Sequence, residues 1–113
     1  MLAAMNGWTV TEGYAPRYDP GGMARVANVR GLTHATCMVS SPTVGIAEWV
    51  FVYGKNTGAL RYCKVVDTSE AIDRARHIRT RRIVELSYST ARALCGHTTE
   101  PPESCPVLVI SEY

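Results

Sequence analysis

The chain has 113 residues, 46% of them hydrophobic and 19% charged, which is enough apolar material for one packed core and argues against disorder. By length it is read as a single domain spanning residues 1–113. A formal charge of +2 is too small for nucleic acid to be the main partner, because non-specific affinity there is built from many phosphate contacts, and no run approaches the roughly 18 apolar residues of a membrane helix.

In chain order, Met1 to Trp8 shows no charged region, long apolar region and cleavage site in series, so secretion by the general route is not expected. Trp8 to Val10 reads as a short strand that leads into Gly13–Gly22, where Pro16, Pro20, Gly21 and Gly22 predict a surface loop carrying Tyr14 and Tyr18. Met23, Val26 and Ala27 have helical spacing and Gly31 is a C-cap signal, which predicts one or two helical turns from Met23 to Arg30. Trp49-Val50-Phe51-Val52-Tyr53 and the run Ala59 to Val66, separated by Gly54–Gly58, predict a β-hairpin. Alternation along the second arm places Leu60, Tyr62, Lys64 and Val66 on one face and Arg61, Cys63, Val65 and Asp67 on the other.

After Asp67 the chain is polar and then strongly basic, with Arg74, Arg76, Arg79, Arg81 and Arg82 in nine residues, read as a loop that also holds His77. Ile83–Leu86 predicts a short strand. A short helix follows to Cys95, with Ser87 or Ser89 as N-cap and Gly96 as its stop. Pro106–Ile110 is the last predicted strand. No internal repeat or linker is visible.

The four cysteines, Cys37, Cys63, Cys95 and Cys105, allow three pairings. We favour Cys37 with Cys63 and Cys95 with Cys105, the second closing a Pro- and Glu-rich loop worth roughly 2–3 kcal/mol of unfolded-state entropy. No Cys-x-x-Cys spacing is present, so neither a zinc site nor any other metal or cofactor is expected. Disulfides would place the protein outside a reducing compartment, extracellular or on a virus particle.

Several of these segments, taken together, resemble the rare lipoprotein A family. They are the hairpin closed by Asn56-Thr57-Gly58, the return strand ending Val65-Val66-Asp67, the arginine-bearing segment, and Arg82-Ile83-Val84-Glu85-Leu86-Ser87 followed by the Ala-rich turn to Leu94. Expansins and barwin-like proteins share that barrel, in which a Phe-Asp-Leu triplet corresponds to Val84-Glu85-Leu86. The resemblance covers about half the chain, with its core motif at residues 37–96. It implies a mainly β fold, a six-stranded double-psi β-barrel with one or two short helices, and carbohydrate chemistry, often on peptidoglycan. The sequence departs from the family where Thr68-Ser69 follows Asp67 in place of Arg-Gly, and where Cys37–Pro42 lacks the family's histidine. His34 is the near substitute.

Cleaving a glycosidic bond needs a general acid at the leaving oxygen and a second carboxylate or a substrate hydroxyl to receive the developing charge. Asp67 and Glu85 are the expected catalytic pair, at strand ends that face one groove in the family. A bland alternative has Asp67 capping a loop and Glu85 paired with Arg82 or Arg61. His77 is a candidate for hydrogen bonding to substrate, or a solvated loop histidine. Arg79 and Arg82, with their neighbours, can grip an anionic polymer through two-bond guanidinium contacts, or pair with Glu70, Asp73 and Glu85. Tyr14, Tyr18 and Trp8 are candidates for stacking on sugar faces, whereas Trp49, within a strand, is expected in the core. The expected function is thus binding or lytic-transglycosylase-like cleavage of cell-wall glycan. The alternative is a structural or adaptor protein, such as a virion component, whose partners are protein neighbours in an assembly.

Overall fold

The computed structural model describes residues 2–5, 7–16, 20–32, 37–69, 71–96 and 104–112. The hairpin predicted from the aromatic and Val-rich runs forms as β4 (Trp49–Gly54) and β5 (Leu60–Thr68), in antiparallel register from Trp49 opposite Lys64 to Tyr53 opposite Leu60. Alternation sends Val50 and Val52 inward, where both are buried, and leaves Trp49, Phe51 and Tyr53 on the outer face. Trp49 is therefore not a core residue as expected; it is 40% exposed. Its neighbours Val50 and Val52 fill the core positions of the strand instead.

Two long strands join this hairpin. The strand expected at Trp8–Val10 continues through Pro16 as β2 (Trp8–Pro16), and the last strand is β7 (Ser104–Glu112) rather than Pro106–Ile110. They pair antiparallel over nine positions, from Trp8 opposite Glu112 to Pro16 opposite Ser104. That ladder holds Gly13–Pro16 extended where a loop was expected, with Pro16 tolerated at the strand end. β1 (Leu2–Met5) pairs onto the free side of β2. β3 (Met38–Ser41) lies parallel to β5 and antiparallel to the two-residue β6 (Glu85–Leu86). The result is one mixed sheet of order β1-β2-β7-β4-β5-β3-β6. Strands β2 to β7 curl into a half-barrel around Val39, Val50, Val52, Val65, Leu86 and Val107, which agrees with the mainly β expectation.

The ends of the curled sheet meet at Tyr14. Its amide donates to the Arg81 carbonyl at 2.7 Å, and its carbonyl accepts from the Ile83 amide at 3.1 Å. Gly13 permits this approach, because a Cβ there would fall on the Arg81 carbonyl oxygen and press on the Ile83 side chain. Ile83 and Val84 are consequently buried without belonging to a strand, so the ladder of the predicted strand Ile83–Leu86 is confined to its last two residues.

Among the described residues three short helices decorate the sheet, one more than the upper expectation. α1 (Pro20–Val29) opens on a proline, whose missing amide is no loss at a helix start, and is capped by Gly31 at a φ of 67°. It packs Met23 and Ala27 on Val66. α2 (Ala71–Arg79) occupies the segment read as an arginine-bearing loop. It escaped the sequence reading because it buries no residue and so carries no apolar stripe, while Arg76, His77 and Arg79 in its last turn suit the negative end of the helix dipole. α3 (Tyr88–Cys95) has Ser87 as N-cap and ends at Gly96, whose φ is 85° and whose amide donates to the Arg92 carbonyl. Among the described residues no helix is long and apolar enough to cross a membrane.

Both favoured disulfides are present, Cys37–Cys63 joining β3's approach to β5 and Cys95–Cys105 joining α3 to β7. They are consistent with an oxidising, extracellular setting. Replacing Cys95 and Cys105 together by Ser should lower the unfolding free energy by about 2–3 kcal/mol in urea titrations, from the entropy of a loop with a sequence separation of 10. Gly13→Ala should cost about 1–3 kcal/mol in the same titrations, because it opens the contact that joins the sheet ends.

Candidate functional site

Val39 stands opposite Val65, but the next residue of β3, Ser40, stands opposite Asp67, so Val66 is an extra residue bulged out of β5. The bulge turns Val66 toward α1 and removes Asp67 from the Cys63 face on which simple alternation had placed it. Asp67 instead enters the row of Ser40, whose partner on its other side is Glu85. The two expected carboxyl groups thus flank Ser40 across three adjacent strands, with Cα atoms about two strand spacings, or about 10 Å, apart.

Asp67 is held from two sides, by the Arg30 guanidinium at the end of α1 at 3.2 Å and by the Thr68 amide at 2.9 Å. Across the row, α2 delivers His77, whose Nδ1 lies 2.6 Å from Ser69 Oγ and 4.0 Å from Glu85 Oε1. The Arg74 guanidinium donates to Thr68 Oγ1 and to the Ser69 carbonyl, fixing the turn between β5 and α2. All three central side chains are largely sheltered, with His77 12%, Asp67 17% and Glu85 21% exposed.

Burial pushes the Glu85 carboxyl above its ordinary value of 4.5, and the nearby Asp67 charge pushes it further; Arg82 opposes the rise and Asp73 adds to it. An acid that keeps its proton longer than a free glutamate, beside a second carboxyl group anchored by an arginine, is an arrangement able to donate a proton to a leaving oxygen.

Four of the residues singled out in the sequence, Asp67, His77, Arg82 and Glu85, therefore meet in one neighbourhood. Arg79 is exposed at the end of α2, and Tyr14 lies at the sheet closure with the Arg81 guanidinium 5.9 Å from its ring centre. Tyr18, His34 and Glu70 lie outside the described residues. His77 proves to be a helix residue aimed at Glu85 rather than a loop histidine. The sequence reading missed Ser40, Ser69 and Arg30. Ser40 is legible only through the bulge, and Arg30 only through the packing of α1.

A separate cavity of about 490 Å³ is lined by Thr9 and Thr11 of β2, Val109 and Ser111 of β7, Ile78 of α2 and Arg81 just after it, among others. It includes none of Asp67, His77 or Glu85. Among the described residues no cluster of His, Cys, Asp and Glu could hold a metal ion. No protein-family model matches the chain, and no curated protein matches it either.

The raised Glu85 carboxyl has a defined signature. Folded Glu85 keeps its proton at pH values where the unfolded chain releases it, so its contribution to stability is lost as pH rises from about 4.5 through the folded value. Glu85→Gln removes that loss, and its stability relative to the native chain should climb across this window and then level off. In an NMR titration the Glu85 carboxyl should move down in Asp67→Asn and up in Arg82→Gln. A Glu85 that titrates at 4.5 in all three proteins would contradict the site as described.

Proposed function

We propose that the half-barrel is a double-psi β-barrel directed at bacterial cell-wall glycan, and that Glu85 is its general acid. The observation that carries this reading is the row Asp67, Ser40, Glu85, in which burial and a neighbouring carboxyl group keep the Glu85 proton in place. The resemblance to the rare lipoprotein A family supports the same assignment, since both carboxyl groups fall on positions that bear carboxylates there.

The step that suits one raised acid is a transglycosylation. Glu85 gives its proton to the glycosidic oxygen as the C–O bond breaks. A hydroxyl of the same sugar attacks the anomeric carbon and returns a proton to Glu85, so no water is consumed and the acid is regenerated. Asp67, fixed by Arg30 and the Thr68 amide, lies where it can offset positive charge on the sugar ring. His77, anchored on Ser69, lies 4.0 Å from Glu85 and shelters it. Arg82, on the exposed side, is placed for a stem-peptide carboxylate.

A second reading, a structural or adaptor protein such as a virion component, draws support from α2. A nine-residue helix that buries none of its residues and leaves Ile72 85% exposed is stabilised little by its own domain. A protein neighbour covering it would supply the missing contacts.

Clearing of a purified peptidoglycan suspension separates the readings. Glu85→Gln should slow clearing by about 100-fold or more while leaving sedimentation with peptidoglycan intact, the usual size of a lost general acid. Clearing at the native rate by Glu85→Gln would remove Glu85 from the mechanism. Sedimentation without clearing by the native protein would reduce the barrel to a glycan-binding module.

A further inference from the structure

The outer face of the sheet is aromatic to a degree that the acid site does not use. Strand register sets two neighbouring rows across it. One runs Val10, Ile110, Phe51, Tyr62 and is continuous over β2, β7, β4 and β5. The other pairs Trp8 with Glu112 at one end and Trp49 with Lys64 at the other. Within this grid the Trp49 and Tyr62 rings stack at 4.8 Å and 20°, the Phe51 and Tyr62 rings approach to 4.5 Å, and Trp8 leans on Phe51 at 6.1 Å. Trp49 and Tyr62 nevertheless remain 40% and 50% exposed. The rings hold one another in place and still present surface to solvent.

Between them opens a cleft of about 290 Å³ lined by Trp8, Trp49, Tyr62, Glu48 and Glu112. Among the described residues its charged lining is Glu48 and Glu112. Lys64, which contacts Trp49, belongs to β5, on the side of Trp49 away from Trp8 and Glu112. Its Nζ stands 5.8 Å from the Trp49 ring centre, so that ring already attracts an ammonium from one side. An aromatic face draws cations through its quadrupole, and two carboxylates at the rim add to the attraction. Adjacent ring faces also suit the C–H face of a sugar.

We propose that this cleft binds a glycan residue bearing a free ammonium group, an amino sugar without its N-acetyl group, at a site on the outer face separate from Glu85. The ammonium lies against the aromatic faces with Glu48 and Glu112 as counter-charges, and the sugar ring stacks on Trp8 or Trp49. N-acetylation removes the charge and with it most of the selectivity. The inference rests on the glycan reading above but not on its acid chemistry. A barrel that holds its polymer at such a cleft and cuts it elsewhere would favour partly deacetylated wall.

The test is calorimetric titration of the full chain with a glucosamine tetrasaccharide, its N-acetylglucosamine counterpart, and choline. The glucosamine form should bind about tenfold more tightly than the N-acetylated form, and raising salt from about 50 mM to about 500 mM should weaken it. Trp49→Ala and Glu112→Gln should each weaken it about tenfold. Glu112→Gln keeps the shape of the cleft, so its loss of binding with an unaltered unfolding curve reports the charge alone. Equal affinity for the two tetrasaccharides, undiminished binding by Trp49→Ala, or choline binding as tightly as the glucosamine tetrasaccharide would each overturn the proposal. Sedimentation with intact peptidoglycan keeps the two levels apart. If the native chain is retained without preferring the amine form, only the cleft assignment falls; if neither peptidoglycan nor either tetrasaccharide is bound, the glycan reading falls with it.

Discussion

The two backbone hydrogen bonds that Tyr14 makes to Arg81 and Ile83 join opposite ends of one curled sheet, and most of what is distinctive about the molecule depends on them. Through that contact the chain between α2 and β6 is drawn onto β2, which buries Ile83 and Val84 and fixes Glu85 as the first residue of β6. Because α2 immediately precedes this segment, its position follows too, and with it the placement of His77 beside Glu85. Gly13 makes the approach possible by having no side chain where the Arg81 carbonyl must pass. A helix with no fully buried residue is otherwise weakly held, so closure of the sheet and the hydrogen bonds of His77 and Arg74 to Ser69 and Thr68 tie α2 to the domain.

The other constraint is the bulge at Val66. A regular β5 would have directed Asp67 to the face of Cys63 and Val65, into the apolar interior, where an unpaired carboxyl group is expensive to bury. The extra residue sends Val66 under α1 instead and aligns Asp67 with Ser40, where Arg30 and the Thr68 amide reach it. One local irregularity thus joins two tasks. It anchors a helix against the outside of the sheet and brings an acid into line with a second acid two strands away, the kind of role for which bulges near functional sites are known.

The parts of the fold legible in the sequence are those governed by local chemistry. Val50 and Val52 alternating with aromatics, the Gly54–Gly58 turn, and the glycines that stop α1 and α3 each announce their structure within a few residues. Both disulfide pairs were legible as the favoured pairing. What escaped is what depends on distant partners. β2 runs to Pro16 because β7 offers it nine paired positions, which no property of Gly13–Pro16 reveals. The row of Asp67, Ser40 and Glu85 requires a parallel pairing, an antiparallel pairing and a bulge to coincide. The fate of Trp49 was readable in principle, since its run places aromatics at every odd position and valines between them, and a strand with two unlike faces buries only one of them.

The outer face gives this distinction a physical edge. A half-barrel needs only its inner face to be apolar, so β-branched residues there satisfy packing and nothing more follows from them. On the outer face water is the default neighbour, and Trp49 and Tyr62 keep contact with it while Trp8, Phe51, Trp49 and Tyr62 pack on one another. Such a grouping gains stability from its ring contacts, but it also exposes the sheet to association. The proposed glycan cleft would give that exposed aromatic surface a use. Aromatic surface bordered by Glu48 and Glu112 gives up little conformational freedom when a flat, cation-bearing ligand arrives, because the rings are already held against one another. The acid row is built the opposite way, from sheltered groups held by hydrogen bonds, as suits a site that must hold a proton rather than a surface. On the proposed reading the domain would bind on one part of its sheet and do chemistry on another, and the strands that frame the core would serve both.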